Sequence, residues 1–194
     1  MGKIFYVMGK SASGKDTIYK RLLDEFPQLK TVTLYTTRPI RDGEMDGVEY
    51  YFVDRKKLDE LRSDNKVIEE RTYQTVHGPW SYFTVDDGQF DLEHEDYLMI
   101  GTLESYGRML EYFGRDMLIP IYIFVDDGVR LERALEREKM QKTPKYQELC
   151  RRFLADDEDF KKENRVQCGI TIEYENRELE QCLEQIGGMI KGYL

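Results

Sequence analysis

The apolar positions run in two alternating patterns. Residues 4–8, Ile4-Phe5-Tyr6-Val7-Met8, are continuously apolar, as in a strand covered on both faces. A stretch of small residues follows over 9–14. From 16 to 26 the apolar Ile18, Leu22, Leu23 and Phe26 recur at helical spacing, and Pro27 ends the pattern. Strand, loop and helix are the opening of a βαβ unit. Residues 31–35 are largely β-branched and read as a strand. Residues 36–47 read as a loop rich in Arg, Gly and Glu, and 48–53 as another strand. Asp54 is placed to cap a helix. Residues 67–69 and 71–73 read as short strands, so 34–86 forms an insertion with its own antiparallel strands.

Beyond the insertion the first pattern resumes. Residues 97–100 and 118–125 predict core strands, with a helix over 105–113 between them. Residues 129–138 are amphipathic with Leu131, Ala134 and Leu135 on one face, and 139–143 make a polar break. Pro144 suits the first turn of the next helix. That helix is predicted over 146–164, with 156–163 as a solvated charged face. A last strand over 169–172 and a final helix over 179–190 complete the chain. No internal repeat interrupts this order. Strands alternating with helices predict a parallel sheet with helices on both faces.

With 194 residues the chain suits one compact α/β domain. Hydrophobic residues make up 40% and charged residues 35%, which fits a solvated surface around a real core. No apolar run has the length of a membrane-spanning helix. No secretory leader is read at the N-terminus, and Tyr6 breaks the myristoylation pattern that Gly2 would begin. A net charge of -9 and a pI of about 4.9 disfavour a nucleic-acid surface. Cys150, Cys168 and Cys182 show no C-x-x-C spacing, so they read as reduced thiols of a cytoplasmic protein. His77 and His94 are too few for a His-based zinc site and read as loop residues.

The loop after the first strand carries chemistry. Gly9-Lys10-Ser11-Ala12-Ser13-Gly14-Lys15 fits G-x-x-x-x-G-K. In such a loop the glycines let successive N–H groups point inward at an anion. The following helix adds the positive end of its dipole. Lys15 reaches the outer phosphates as a point charge. The fold expected is therefore α/β, a P-loop NTPase-type three-layer arrangement. Where such loops carry Ser or Thr after the lysine to hold magnesium, this chain has Asp16, with Thr17 next. A carboxylate can ligate the metal but adds negative charge beside a triphosphate.

Residues 36–52, Thr36-Thr37-Arg38-Pro39-Ile40-Arg41-Asp42-Gly43-Glu44-Met45-Asp46-Gly47-Val48-Glu49-Tyr50-Tyr51-Phe52, place two arginines three apart. That pair suits bidentate binding of a phosphate monoester. The segment resembles the acceptor-phosphate segment of guanylate kinases, T-T-R-x-P-R-x-G-E-x-[DN]-G-x-[DE]-Y-x-F. Every fixed position is matched except the proline, which stands one residue early at Pro39. The resemblance implies that Arg38, Arg41, Glu44 and Tyr50 bind the acceptor nucleotide. It extends to Val67-Ile68-Glu69, where the family's glutamate accepts from the guanine edge, and to residues 78–84, which make Tyr82 and Thr84 further acceptor contacts. Two positions depart from the family. Leu34 replaces a hydroxyl residue, and residues 100–107 lack the D-x-D-x-Q-G signature, leaving only Glu104 as a carboxylate there.

The resemblance also implies a lid. Arg133, Arg137 and Arg152, with Arg151 as an alternative to Arg152, match its arginines, and Asn176 matches an asparagine near adenine. The implied layout is a core of 1–33, 87–130 and 155–194, a nucleoside monophosphate-binding insertion at 34–86 and a helical lid at 131–154. The implied reaction moves the γ-phosphoryl group of ATP, with Mg²⁺ held at Asp16, onto a monophosphate, GMP first. Residues 9–17 and Asn176 form the ATP side. Lys15, Arg38, Arg133, Arg137 and Arg152 neutralise the transferring group. Two other readings remain open: a related kinase with a different phosphorylated acceptor, and a non-catalytic binding module of the same fold. Expected partners are the two nucleotides, without nucleic acid or membrane, in a monomer or homodimer.

Overall fold

The computed structural model describes residues 1–75 and 78–194, so His77 lies outside the described residues. In chain order the elements are β1 (Ile4–Met8), α1 (Lys15–Glu25), β2 (Tyr35–Thr36), β3 (Tyr51–Phe52), α2 (Arg55–Ser63), β4 (Val67–Thr75), β5 (Gly78–Val85), β6 (Tyr97–Gly101), α3 (Leu103–Phe113), β7 (Leu118–Phe124), α4 (Asp127–Lys139), α5 (Tyr146–Asp159), α6 (Lys162–Gln167), β8 (Glu173–Glu175) and α7 (Leu179–Lys191). Four strands form a wholly parallel core sheet in the order β6-β1-β7-β8.

The continuous apolar run of β1 follows from its central place. Phe5 and Val7 pack with Ile18 and Leu22 of α1 and with Leu183, Ile186 and Ile190 of α7. Ile4, Tyr6 and Met8 pack on the other face with Tyr106 and Met109 of α3. Successive side chains of a strand point to opposite faces, and here each face is roofed by helices. Asp54 caps α2 as expected, accepting from Lys57 N at 2.7 Å. Thr102 and Asp126 cap α3 and α4 in the same way.

A second sheet, in the order β3-β2-β5-β4, lies within the expected insertion. The β4–β5 and β2–β5 pairs are antiparallel, but β2 and β3 run parallel, so the sheet is mixed rather than all antiparallel. Leu58 and Leu61 of α2 pack on Phe83 and Val85 to give it a small core of its own. Among the described residues no helix is long and apolar enough to cross a membrane.

Several expected elements change. The strand at 31–35 contracts to β2, with Lys30 bridging Tyr97 of the core sheet instead, and the strand at 48–53 contracts to β3. The two short strands at 67–73 are one strand with a bulge between Val67 and Glu69. The helix at 146–164 breaks after α5, where Phe160 turns inward and stacks on Tyr122 at 5.4 Å. Residues 169–172 are not a strand, because Gly169 sits at φ 78° and pairing with β7 begins only at Glu173. Pro144 precedes α5, whose cap is Lys145. In α4 the inward residues are Arg130, Ala134 and Glu138, while Leu131 and Leu135 are 41% and 36% exposed. The helix docks through charge rather than through its leucines.

Candidate active site

The loop between β1 and α1 is shaped by close approach. A side chain at Gly9 would meet Ile123 O at 2.7 Å, and one at Gly14, φ 84°, would meet Asn176 Nδ2 at 2.4 Å. Ala12 also sits left-handed, at φ 63°. Asn176, 5% exposed, holds the turn by donating from Nδ2 to Ser13 O at 2.8 Å. Its side chain therefore faces the loop itself. The Ser13 hydroxyl is buried without a hydrogen-bond partner among the described residues. Lys15 Nζ lies 3.4 Å from Asp16 Oδ2, and Asp16 and Thr17 are exposed in the first turn of α1. An exposed carboxylate oxygen beside a phosphate loop suits Mg²⁺, which takes one or two carboxylates with phosphates and water.

Residues the sequence reading passed over close one side of this loop. Arg130, 1% exposed, donates to Ser11 O at 3.0 Å and to Asp127 Oδ1 at 3.0 and 2.7 Å, and reaches Asp157 Oδ1 at 3.3 Å. Lys10 pairs with Asp157 at 2.5 Å and with Asp127 at 3.2 Å. The Ser11 amide donates to Asp156 Oδ2 at 2.7 Å. Asp156 and Asp157, expected on a solvated face, thus sit against the loop. Burial pushes the Asp127 carboxyl up, but the hydrogen bonds from Arg130 and Lys10 outweigh it and leave it below the usual range. The signal that could have revealed Arg130 was its spacing: with Ala134 and Glu138 it falls on one helix face.

The expected lid arginines fall into three settings. Arg137 and Arg152 line one crevice together with Ser11 of the loop. Arg133 donates to Asn176 O at 3.3 Å and borders a cavity of about 290 Å³ with Val125, Asp126, Val129 and Arg177. Arg151 is exposed and forks onto Glu148 of its own helix at 2.8 and 2.7 Å.

On the second sheet Arg38, 4% exposed, forks onto Glu44 at 2.7 and 2.5 Å and lies over the rings of Tyr50 and Phe52. Hydrogen bonding from Arg38 pulls the Glu44 carboxyl down to about 2. Arg41 remains exposed, and its amide donates to the same carboxylate at 2.9 Å. Tyr82 meets Tyr50 edge-on at 5.6 Å. Thr84 donates to Glu69 Oε1 at 2.8 Å, and Glu69 is also paired with Arg71. Burial raises the Glu69 carboxyl, against the pull of Arg71 and Thr84. A cavity of about 350 Å³ lies between α1 and the arginine segment, lined by Tyr19 of α1, Leu34, Glu49, Tyr50, Met99 and Ile100.

The sequence profile described as guanylate kinase matches residues 1–82. A guanylate kinase of Rhodopseudomonas palustris is 41% identical over 83 residues, covering 40% of this chain and 38% of that protein. The guanylate kinase of Helicobacter hepaticus is 27% identical over 139 residues, or 71% of this chain and 68% of that protein. The match thus spans about two-fifths of the Rhodopseudomonas relative's length. A crystal structure of guanylate kinase from Anaplasma phagocytophilum superposes with a TM-score of 0.65 at 18% identity, covering 99% of this chain and 86% of that one, and shares the fold.

Proposed function

We propose that this chain, whose first 82 residues match the guanylate kinase profile, is a kinase of that family and transfers the γ-phosphoryl group of ATP to a nucleoside monophosphate, GMP first. The observation that carries the reading is the cavity that Tyr19, on the helix of the phosphate loop, shares with Tyr50 of the arginine segment. That cavity sets the helix following the main-chain anion cradle against the segment that carries the arginine–tyrosine cradle.

The loop amides and Lys15 hold the triphosphate, and the cavity bordered by Arg133 and Arg177 receives its base. Arg137 and Arg152, next to Ser11, neutralise the charge that spreads over the transferring group. Arg41, Tyr50 and Tyr82 hold the acceptor phosphate, joined by Arg38, which Glu44 keeps aimed in the meantime. That phosphate is already ionised, so positioning rather than proton removal drives the step. Asp16 would hold Mg²⁺, which supplies charge neutralisation across the phosphates when bound. In this reading 34–86 is the acceptor-binding unit and 131–154 the lid, whose closure excludes water.

A coupled assay with ATP, Mg²⁺ and a panel of monophosphates tests this. GMP turnover is expected, with loss of roughly a hundredfold or more in Lys15→Ala. Arg41→Ala is expected to raise the KM for the acceptor while leaving that for ATP within severalfold. Absence of turnover with every acceptor, or equal effects of Arg41→Ala on both substrates, contradicts the assignment.

A further inference from the structure

The acceptor side holds a buried ion pair. Glu69 and Arg71 stand two residues apart on β4, their side chains 2% and 10% exposed. Arg71 donates from Nε to Glu69 Oε2 at 3.1 Å and from Nη2 to Oε1 at 3.3 Å. The strand register sets Arg71 opposite Tyr82 and Glu69 opposite Thr84. Tyr82 touches Tyr50, and Tyr50 lies beneath the Arg38 guanidinium. Two residues along the strand, about 7 Å at 3.3 Å per residue, separate the phosphate-binding tyrosine from Glu69 and Thr84. A ribose spans that order of distance between phosphate and base. On the acceptor-site reading above, the ion pair therefore stands where the base arrives.

A free carboxylate reads a base edge that offers two adjacent N–H groups, one to each oxygen. The guanine edge offers such a fork through its ring N1–H and its 2-amino group. Arg71 already presents a fork of the same kind to the same two oxygens. Displacing it would strand a buried guanidinium against an uncharged base, which is strongly unfavourable. The pair therefore persists and meets the base from its donor side, where guanidinium N–H groups suit a carbonyl.

Two neighbouring positions agree. Leu34 lines the cavity beside Tyr50 with Met99 and Ile100 and offers an amino group no acceptor, and the Glu49 carboxylate on the same cavity already accepts from Met45 N at 2.8 Å. After β6, Thr102 is committed to capping α3 through Ser105 N, and Glu104 is exposed. We propose that Arg71 is a specificity-determining residue: its buried fork with Glu69 makes the enzyme read the 6-keto group of a purine and leave the 2-amino group unread. Guanosine and inosine monophosphates are then both acceptors.

Steady-state rates of the wild-type chain with ATP and either GMP or IMP test this directly. Their kcat/KM values are expected to agree within roughly tenfold, because a hydrogen bond to a charged group is worth roughly ten- to a hundredfold when it is made. A preference for GMP beyond about a hundredfold overturns the proposal. Arg71→Met keeps the buried length and frees the carboxylate. It is expected to raise the GMP-to-IMP ratio by roughly tenfold or more, mainly through a lower KM for GMP, and an unchanged ratio overturns the proposal. If that variant does not fold, the wild-type ratio decides alone. Calorimetric binding separates the levels of the argument. Binding of neither monophosphate, or binding untouched by Arg41→Ala, ends the acceptor-site reading and the proposal with it. Arg41-dependent binding with GMP far ahead ends only the role of Arg71.

Discussion

Glu44 links two arginines, forking with the Arg38 side chain and accepting from the Arg41 amide. Arg38 is so thoroughly buried that without a partner its charge would be costly. Hydrogen bonding from Arg38 lowers the Glu44 carboxyl from its usual 4.5 to about 2. A depressed carboxyl adds stability that is present above the unfolded-state value and lost as pH falls through the folded one. The contribution is thus complete near neutrality and disappears between about pH 4.5 and 2. Glu44→Gln is expected to flatten this part of the stability–pH curve, measured by urea unfolding of both proteins across the window. Parallel curves would mean that the pair contributes nothing.

At the scale of elements, α4 and α5 join the loop between β1 and α1 through charge. Arg130 is nearly sealed, with Asp127, Asp156 and Asp157 around it and the Phe153 ring 4.5 Å from its guanidinium carbon. Removing Arg130 would take away the buried partner of three carboxylates, of which Asp127 and Asp157 keep 52% and 38% of their side-chain exposure. Arg130→Met is therefore expected to lower stability by about 1–3 kcal/mol, read by denaturant unfolding. A loss within about 0.5 kcal/mol, as at an ordinary surface site, would show that the cluster is solvated and the loop held by other means. The pair of Arg151 with Glu148 within α5 is exposed on both sides and contributes little.

At the scale of the molecule, the second sheet has its own small core, centred on Leu58, Leu61, Phe83 and Val85 and separate from the two clusters that sandwich the core sheet. Leu58 is fully buried. Leu58→Ala is expected to cost about 2–5 kcal/mol. The loss should appear first in hydrogen exchange of β2 to β5, with β1 and β7 still protected. Uniform loosening of all strands would show one cooperative unit instead.

What could be read without the structure was what local pattern carries: the strand–loop–helix opening, the glycine-bearing loop within it and the alternation that builds a parallel sheet. Short strands were misjudged because two-residue pairings such as β2 and β3 leave no period to detect. The inward face of α4 was misjudged because amphipathicity assigns leucines to the core, whereas here charge decides. Only the tertiary structure brought Lys10 to Asp157, 147 positions apart, and closed Arg71 onto Glu69 in a buried space. Which charges meet depends on distances across the folded chain and on the low dielectric between packed elements, and neither is written in residue spacing.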